Sequence, residues 1–228
     1  MPKAVKSPRA YRSPRREQQA AATRHEIVVA AKHLFEGQGY AATTMNAVAA
    51  EAGVALKTVY LAFETKARLL RAVWDLTLKG DDAELPVADR PWYVEVLEEP
   101  DPERKLRLVA AASRDVKVRG AALLGVIRDA APSDDDIGAL WSLIQSDFHA
   151  NQGAIVATLD RAGELAPGVD ARHATDILWT LNHPDVWLLL VGQRGWTPEE
   201  FEKWFGDTVV AQLLPPRPGR RQLRSRAR

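Results

Sequence analysis

The side chains able to do catalytic chemistry are present in this chain, but not in spacings that would let them act together. The five histidines, His25, His33, His149, His173 and His183, form no H-x-x-x-H or H-E-x-x-H pair that would aim two imidazoles at one metal from a helix face. Ser113, Ser133, Ser142 and Ser146 lie in no nucleophile-elbow motif. With no cysteine, disulfides, thiolate zinc sites, iron–sulfur clusters and thiol nucleophiles are excluded. Asp134-Asp135-Asp136 stands at a predicted helix start, where acids complement the helix dipole more often than they hold a cation. Neither an enzyme nor a bound metal or cofactor is expected.

A different chemistry is indicated by residues 45–64, which have small or apolar side chains where a helix-turn-helix needs them. Ala49 is small enough for a second helix to cross closely over the first. Four residues later the chain must turn sharply, and Gly53 can take a positive φ without a Cβ penalty. Val48, Ala52, Val54, Val59 and Ala62 complete an inward face.

The elements that would position this elbow follow from helical periodicity. Ile27, Ala31, Leu34 and Phe35 mark a first helix that stops at Gly37-Gln38-Gly39. Thr43 or Thr44 can cap a second short helix carrying Met45, Val48, Ala49 and Ala52. A third runs over about residues 55–62, and Thr65 can cap a fourth striped by Leu69, Leu70, Val73, Trp74 and Leu76. Residues 80–100 read as a connection with an irregular helix. Beyond them, residues 102–117, 118–131, 134–162, 169–191 and 198–214 keep helical spacing, and strand-like alternation is absent. The expected fold is all-α: a basic disordered arm (1–16), a helix-turn-helix domain with its connecting helix (17–79), a helical second domain (80–214) and a basic disordered tail (215–228).

Charge is segregated along the chain although the net is +1: residues 1–79 carry +7, residues 80–214 carry −12 and residues 215–228 carry +6. A basic head on an acidic body suits a polyanion reader joined to a module of another kind. No run approaches the ~20 apolar residues that span a bilayer, and residues 1–16 lack the apolar stretch of a signal peptide, so a soluble cytoplasmic protein without membrane association is expected.

Over residues 24–79 the sequence resembles the tetracycline-repressor (TetR) family of bacterial regulators. The elements are Thr23-Arg24, Ala30-Ala31, Leu34-Phe35, Gly39-Tyr40, Thr43-Thr44, Ala52-Gly53-Val54, Val59-Tyr60, Phe63, and Lys66 with Leu69-Leu70. Residues 179–214, with Gly195-Trp196-Thr197-Pro198-Glu199-Glu200, are more loosely similar to one variety of the family's ligand-binding domain. The resemblance implies a homodimer reading a pseudo-palindromic double-stranded operator, the third helix entering the major groove with half-sites about 34–36 Å apart or a multiple. It implies base or phosphate contacts from Lys57 and Thr58, a phosphate- or methyl-contacting Tyr60, a backbone contact from Thr43 or Thr44, and a phosphate clamp at Lys66. Two positions depart from the family pattern. Ala55 replaces the usual hydroxyl cap of the third helix, and Leu61 stands where an aromatic or histidine is common, leaving apolar contact to a thymine methyl. The basic arm would compensate by following phosphates or entering the minor groove.

For the second domain the resemblance implies a cavity whose occupancy moves the fourth helix. Six of the seven tryptophans lie there. Trp92, Trp141, Ile144, Phe148, His149 and Trp179 are the candidate lining residues, and an apolar or aromatic effector is the first expectation. The last two helices, rich in apolar residues from Ile177 to Leu189 and from Phe201 to Leu213, would pair with those of a second copy. His183-Pro184-Asp185 reads as a kink. The expectation is a DNA-binding regulator, a repressor released by ligand; a small-molecule binding or sequestering protein with a vestigial head is the alternative.

Overall fold

A computed structural model describes residues 14–79 and 87–216. The arm before residue 14, the segment 80–86 and the tail after residue 216 lie outside the described residues, whereas residues 14–16, read as the end of the arm, open the first helix. Among the described residues every regular element is helical, in agreement with the all-α expectation. Packing divides the chain into two units, residues 1–73 and 74–228. The division falls inside the fourth helix rather than at residues 79 and 80.

The first unit contains α1 (Pro14–Ala42), α2 (Met45–Glu51), α3 (Leu56–Phe63) and the start of α4 (Lys66–Lys79). Helix α1 continues through Gly37 and kinks only at Gly39, where φ is 80°. Its inner face buries Ile27, Ala31 and Phe35 at i, i+4 and i+8, against a core that also holds Val48, Val59, Leu69 and Leu70. Each of the larger side chains among these stabilises the unit by roughly 1.5–3 kcal/mol through burial, and Ala31 by less. The Thr44 hydroxyl accepts from the Ala47 amide at 3.1 Å to start α2, and the Thr65 hydroxyl accepts from the Arg68 amide at 3.1 Å to start α4. As the sequence implies, α3 has no side-chain cap at Ala55.

The second unit contains the rest of α4, then α5 (Pro91–Glu98), α6 (Pro102–Ala130), α7 (Asp135–Arg161), α8 (Ala171–Leu181), α9 (Pro184–Trp187) and α10 (Pro198–Leu213). Residues 102–130 form one helix instead of two, because the buried stripe Leu106, Val109, Ala110, Ser113, Lys117, Gly120, Ala121 and Leu124 runs through without a breaker. Asp101, Asp134 and Asp170 cap α6, α7 and α8 by accepting from backbone amides two or three residues on. Asp134 thus begins a helix, as its position suggested. Thr197 and Glu200 form a reciprocal capping box at α10, with Pro198 in the first turn, which explains that short motif physically.

The interior of this unit is built on α6 and α10. Phe201, Phe205, Val209 and Leu213 are buried against Leu106, Val109 and Ala110. A Cβ on Gly206 would lie 3.4 Å from the Ala110 Cβ, at the edge of ordinary van der Waals contact, so α6 and α10 pack closely at this point. This alters one inference from sequence: the apolar stripe of α10 is largely consumed inside its own chain. Leu178 of α8 is buried with it, whereas Ile177, Leu181 and Val186 are half-buried and Leu189 is exposed. No described helix is long and apolar enough to cross a membrane.

Candidate DNA-reading surface and effector module

The elbow between α2 and α3 is closed by two backbone bonds, Gly53 N–H to the Ala50 carbonyl at 3.2 Å and Val54 N–H to the Ala49 carbonyl at 3.0 Å. Gly53 adopts φ 66°, and Ala49 is buried at the crossing. Helix α3 then buries Val59 and Phe63 and presents its other side outward: Lys57 is exposed, Tyr60 is 48 % exposed and Leu61 is 77 % exposed. Thr58 is half-buried in a shallow groove shared with Thr23, Arg24 and Ile27 of α1. An ammonium, a phenol and an apolar tip on one rigid face can meet phosphate, base edge and thymine methyl.

Two sequence candidates take another place. Thr43 is fully buried; its hydroxyl donates to the Gly39 carbonyl at 2.8 Å and accepts from Gln38 Nε2 at 3.3 Å. It therefore ties off the end of α1 and is withdrawn as a DNA contact, leaving the exposed Thr44 of that pair at the N-terminus of α2. Lys66 does not extend outward as a phosphate clamp. Its ammonium donates to the Tyr40 carbonyl at 2.8 Å and the Thr43 carbonyl at 3.1 Å, and lies 4.0 Å from the Tyr40 ring centre. The first turn of α4 is thereby pinned to the α1–α2 junction. Burying two helix-end carbonyls without a donor would be costly, and a lysine supplies both bonds at once.

Sequence reading noted Arg24 only as a motif element and missed its task. Its guanidinium donates to the Ala62 carbonyl at 2.7 Å and lies 4.1 Å over the Phe63 ring. It fixes the C-terminal end of α3 to α1 by a hydrogen bond and a cation–π contact.

In the second unit the structure brings together Trp141, His149 and Trp179, three of the candidate lining residues, around His183. The Trp179 and His183 rings are 5.1 Å apart, Trp141 and His183 6.5 Å, and His149 and Trp179 5.9 Å, all edge to face. His149 Nε2 is 3.1 Å from Asp176 Oδ1, and His183 Nε2 is 3.2 Å from Gln145 Oε1. Ile144 and Phe148 are half-buried on the same helix, α7. Trp92 is not part of this cluster. It packs edge to face on Tyr93 against the α6–α10 core, and Tyr93 reaches the Asn151 carbonyl at 2.8 Å.

Next to His183 lies a polar group that sequence reading overlooked. Lys117 is buried and donates to Ser113 Oγ at 2.6 Å and to Asn182 Oδ1; Ser113 also donates to Asn182, whose amide reaches Gln152 Oε1 at 3.4 Å. Burial lowers the Lys117 pKa to about 7. The His183 imidazole is held below its usual range by burial first, with Lys117 and Arg128 adding to the effect and Asp185 opposing it. The signal was available: a lysine four residues after Ser113, in the middle of an apolar stripe.

Residues 27–73 match the family described as bacterial regulatory proteins, tetR family. No curated protein matches the sequence. Among solved structures, a protein from Mesorhizobium loti assigned to the TetR-family transcriptional regulators is 22 % identical, with a TM-score of 0.66 over 86 % of this chain and 98 % of that one. NalD, the secondary repressor of the MexAB-OprM multidrug efflux pump in Pseudomonas aeruginosa, is 21 % identical, with a TM-score of 0.65 and the same coverage. SmeT, the repressor of the Stenotrophomonas maltophilia multidrug efflux pump SmeDEF, is 20 % identical, with a TM-score of 0.64 over 86 % of this chain and 92 % of that one. Residues 27–73 thus carry the tetR-family element of bacterial regulatory proteins, borne on a chain with the all-helical fold of the TetR-family regulators it resembles.

Proposed function

We propose that this chain is a homodimeric, sequence-specific repressor that releases its operator when a small molecule occupies the second unit. The observation that carries the DNA-reading half is the outward face of α3, where Lys57, Tyr60 and Leu61 stand exposed on a helix whose opposite face is fully buried. Such a helix presents side chains to a groove without having to rearrange. Leu61 and Tyr60 would supply apolar and hydroxyl contacts to base edges, Lys57 a phosphate or guanine contact, and Thr44 a backbone contact. The residues of α4 belong to both units, so a ligand preferring one arrangement of the second unit would bias the spacing of two recognition helices in a dimer. Repression fits the repressor roles of NalD and SmeT, and effector binding fits the complex of SmeT with triclosan. The half-buried and exposed apolar residues Ile177, Leu181, Val186 and Leu189 are the surface assigned to the second copy.

Selection of bound sites from random duplexes, followed by mobility shifts over a range of salt, tests the reading. A pseudo-palindromic consensus bound by a dimer, with affinity falling steeply as salt rises, is expected. A strictly monomeric chain without sequence preference at low salt would leave only a small-molecule binder.

A further inference from the structure

The Trp141–Trp179–His183 cluster holds two buried donors without acceptors, and the network beside it holds a buried lysine without a carboxylate. Trp179 Nε1 and Gln145 Nε2 are buried with no hydrogen-bond partner. Lys117, adjacent through Asn182 and His183, is buried against a hydroxyl, an amide oxygen and, at 5.6 Å, the Phe201 ring, all of them uncharged. Among the described residues no carboxylate forms an ion pair with it. The carboxylate nearest His183, Asp185, is paired with Arg128. Asp176, beside His149, is shared with Arg172. A buried ammonium lacking an anion costs several kcal/mol, and an orphaned indole or amide N–H adds to that. The side chains that crowd this region are edge-to-face aromatic rings, which accept an apolar body but supply no counter-charge.

We infer that the effector is an organic acid, an apolar or aromatic body bearing a carboxylate, whose head Lys117 neutralises while Gln145 and Trp179 donate to its oxygens. This rests on the reading that the second unit receives a small effector, and it narrows that reading from any aromatic molecule to an anionic one. Cations would meet Lys117 as a like charge; neutral isosteres would leave it unpaired. Because the free amine is largely unprotonated above neutrality, an arriving carboxylate also draws a proton onto it.

The test uses the full chain and two matched pairs, benzoate with benzamide and 2-naphthoate with 2-naphthamide, titrated by tryptophan fluorescence and by calorimetry in buffers of different ionisation heat. At least one acid is expected to bind about tenfold or more tightly than its amide, with uptake of about one proton near pH 8.5. Lys117→Met is expected to erase the preference while the amide's affinity stays. Equal affinities within both pairs, no binding of either acid at millimolar concentration, or a preference that survives in K117M would each overturn the inference. Should K117M not fold, proton uptake by the unaltered chain decides alone. Mobility shifts on the selected operator separate the two readings: intact operator binding without acid preference sinks only this inference, and acid preference without operator binding sinks only the regulator.

Discussion

The Lys66 ammonium and the Tyr40 residue meet twice, through the ring at 4.0 Å and through the carbonyl at 2.8 Å, so the start of α4 closes the end of α1. Lys66→Met keeps the aliphatic stem and removes these bonds along with that to Thr43. The domain should lose roughly 2 kcal/mol, the range for hydrogen bonds to charged groups. Its Tm should fall, while the slope of log affinity against log salt stays as it was. Lys57→Ala should do the opposite, leaving Tm unchanged and flattening that slope by about 0.9. A normal Tm with a flattened slope in K66M would return this lysine to the phosphates.

Arg24 holds the other end of the reading helix. Arg24→Ala removes the bond to the Ala62 carbonyl and the stack on Phe63. Both lie at an exposed site, so the global loss should be about 1 kcal/mol or less. The larger effect should be local: amide exchange in α3 several-fold faster, with α6 unaffected, and weaker operator binding. Arg24→Lys should not restore it, since an ammonium cannot stack and donate in the same planar way. Unchanged exchange in α3 would show that Val59 and Phe63 anchor the helix without help.

Why the helices and the elbow were legible while several roles were not comes down to what each depends on. Periodic burial, caps at Thr44 and Thr65, and the Ala49/Gly53 spacing are local properties, and each is visible within a few residues of sequence. The inward turn of Lys66 depends on the carbonyls of Tyr40 and Thr43, which become its neighbours only when α1 and α4 pack, and Thr43, whose bond to the Gly39 carbonyl is local, is buried only by that packing. Lys117 depends on Asn182, 65 residues away. Trp92 and Trp179 are alike in composition, but only tertiary packing places one on the α6–α10 core and the other beside His183.

Gly53 supplies a cleaner test of the elbow. A methyl group there would touch nothing within 4 Å, so any penalty comes from φ 66° alone. Gly53→Ala should cost about 1–2 kcal/mol in urea unfolding, and Gly53→Asn distinctly less, because asparagine tolerates the left-handed region. Equal stability of the alanine variant would mean that the turn relaxes to another conformation, and α3 would then be set by its core contacts.

The last prediction concerns pH. The Lys117 pKa falls from 10.5 in the unfolded chain to about 7 when buried. Between these values the unfolded state binds a proton that the folded state does not. Folding therefore carries no penalty from this group above about pH 10.5, and the penalty grows as pH falls until it levels off near pH 7. Stability should thus rise by up to about 1.4 kcal/mol per pH unit over that window from this residue. Chemical unfolding of the full chain and of K117M at about pH 7.5, 8.5 and 9.5 isolates the contribution, because every other titrating group is common to both. The difference in stability between the two proteins should shrink or reverse in favour of the lysine as pH rises. A difference that stays flat would mean that Lys117 keeps its proton in the fold, its charge carried by Ser113 and Asn182 without help from an anion.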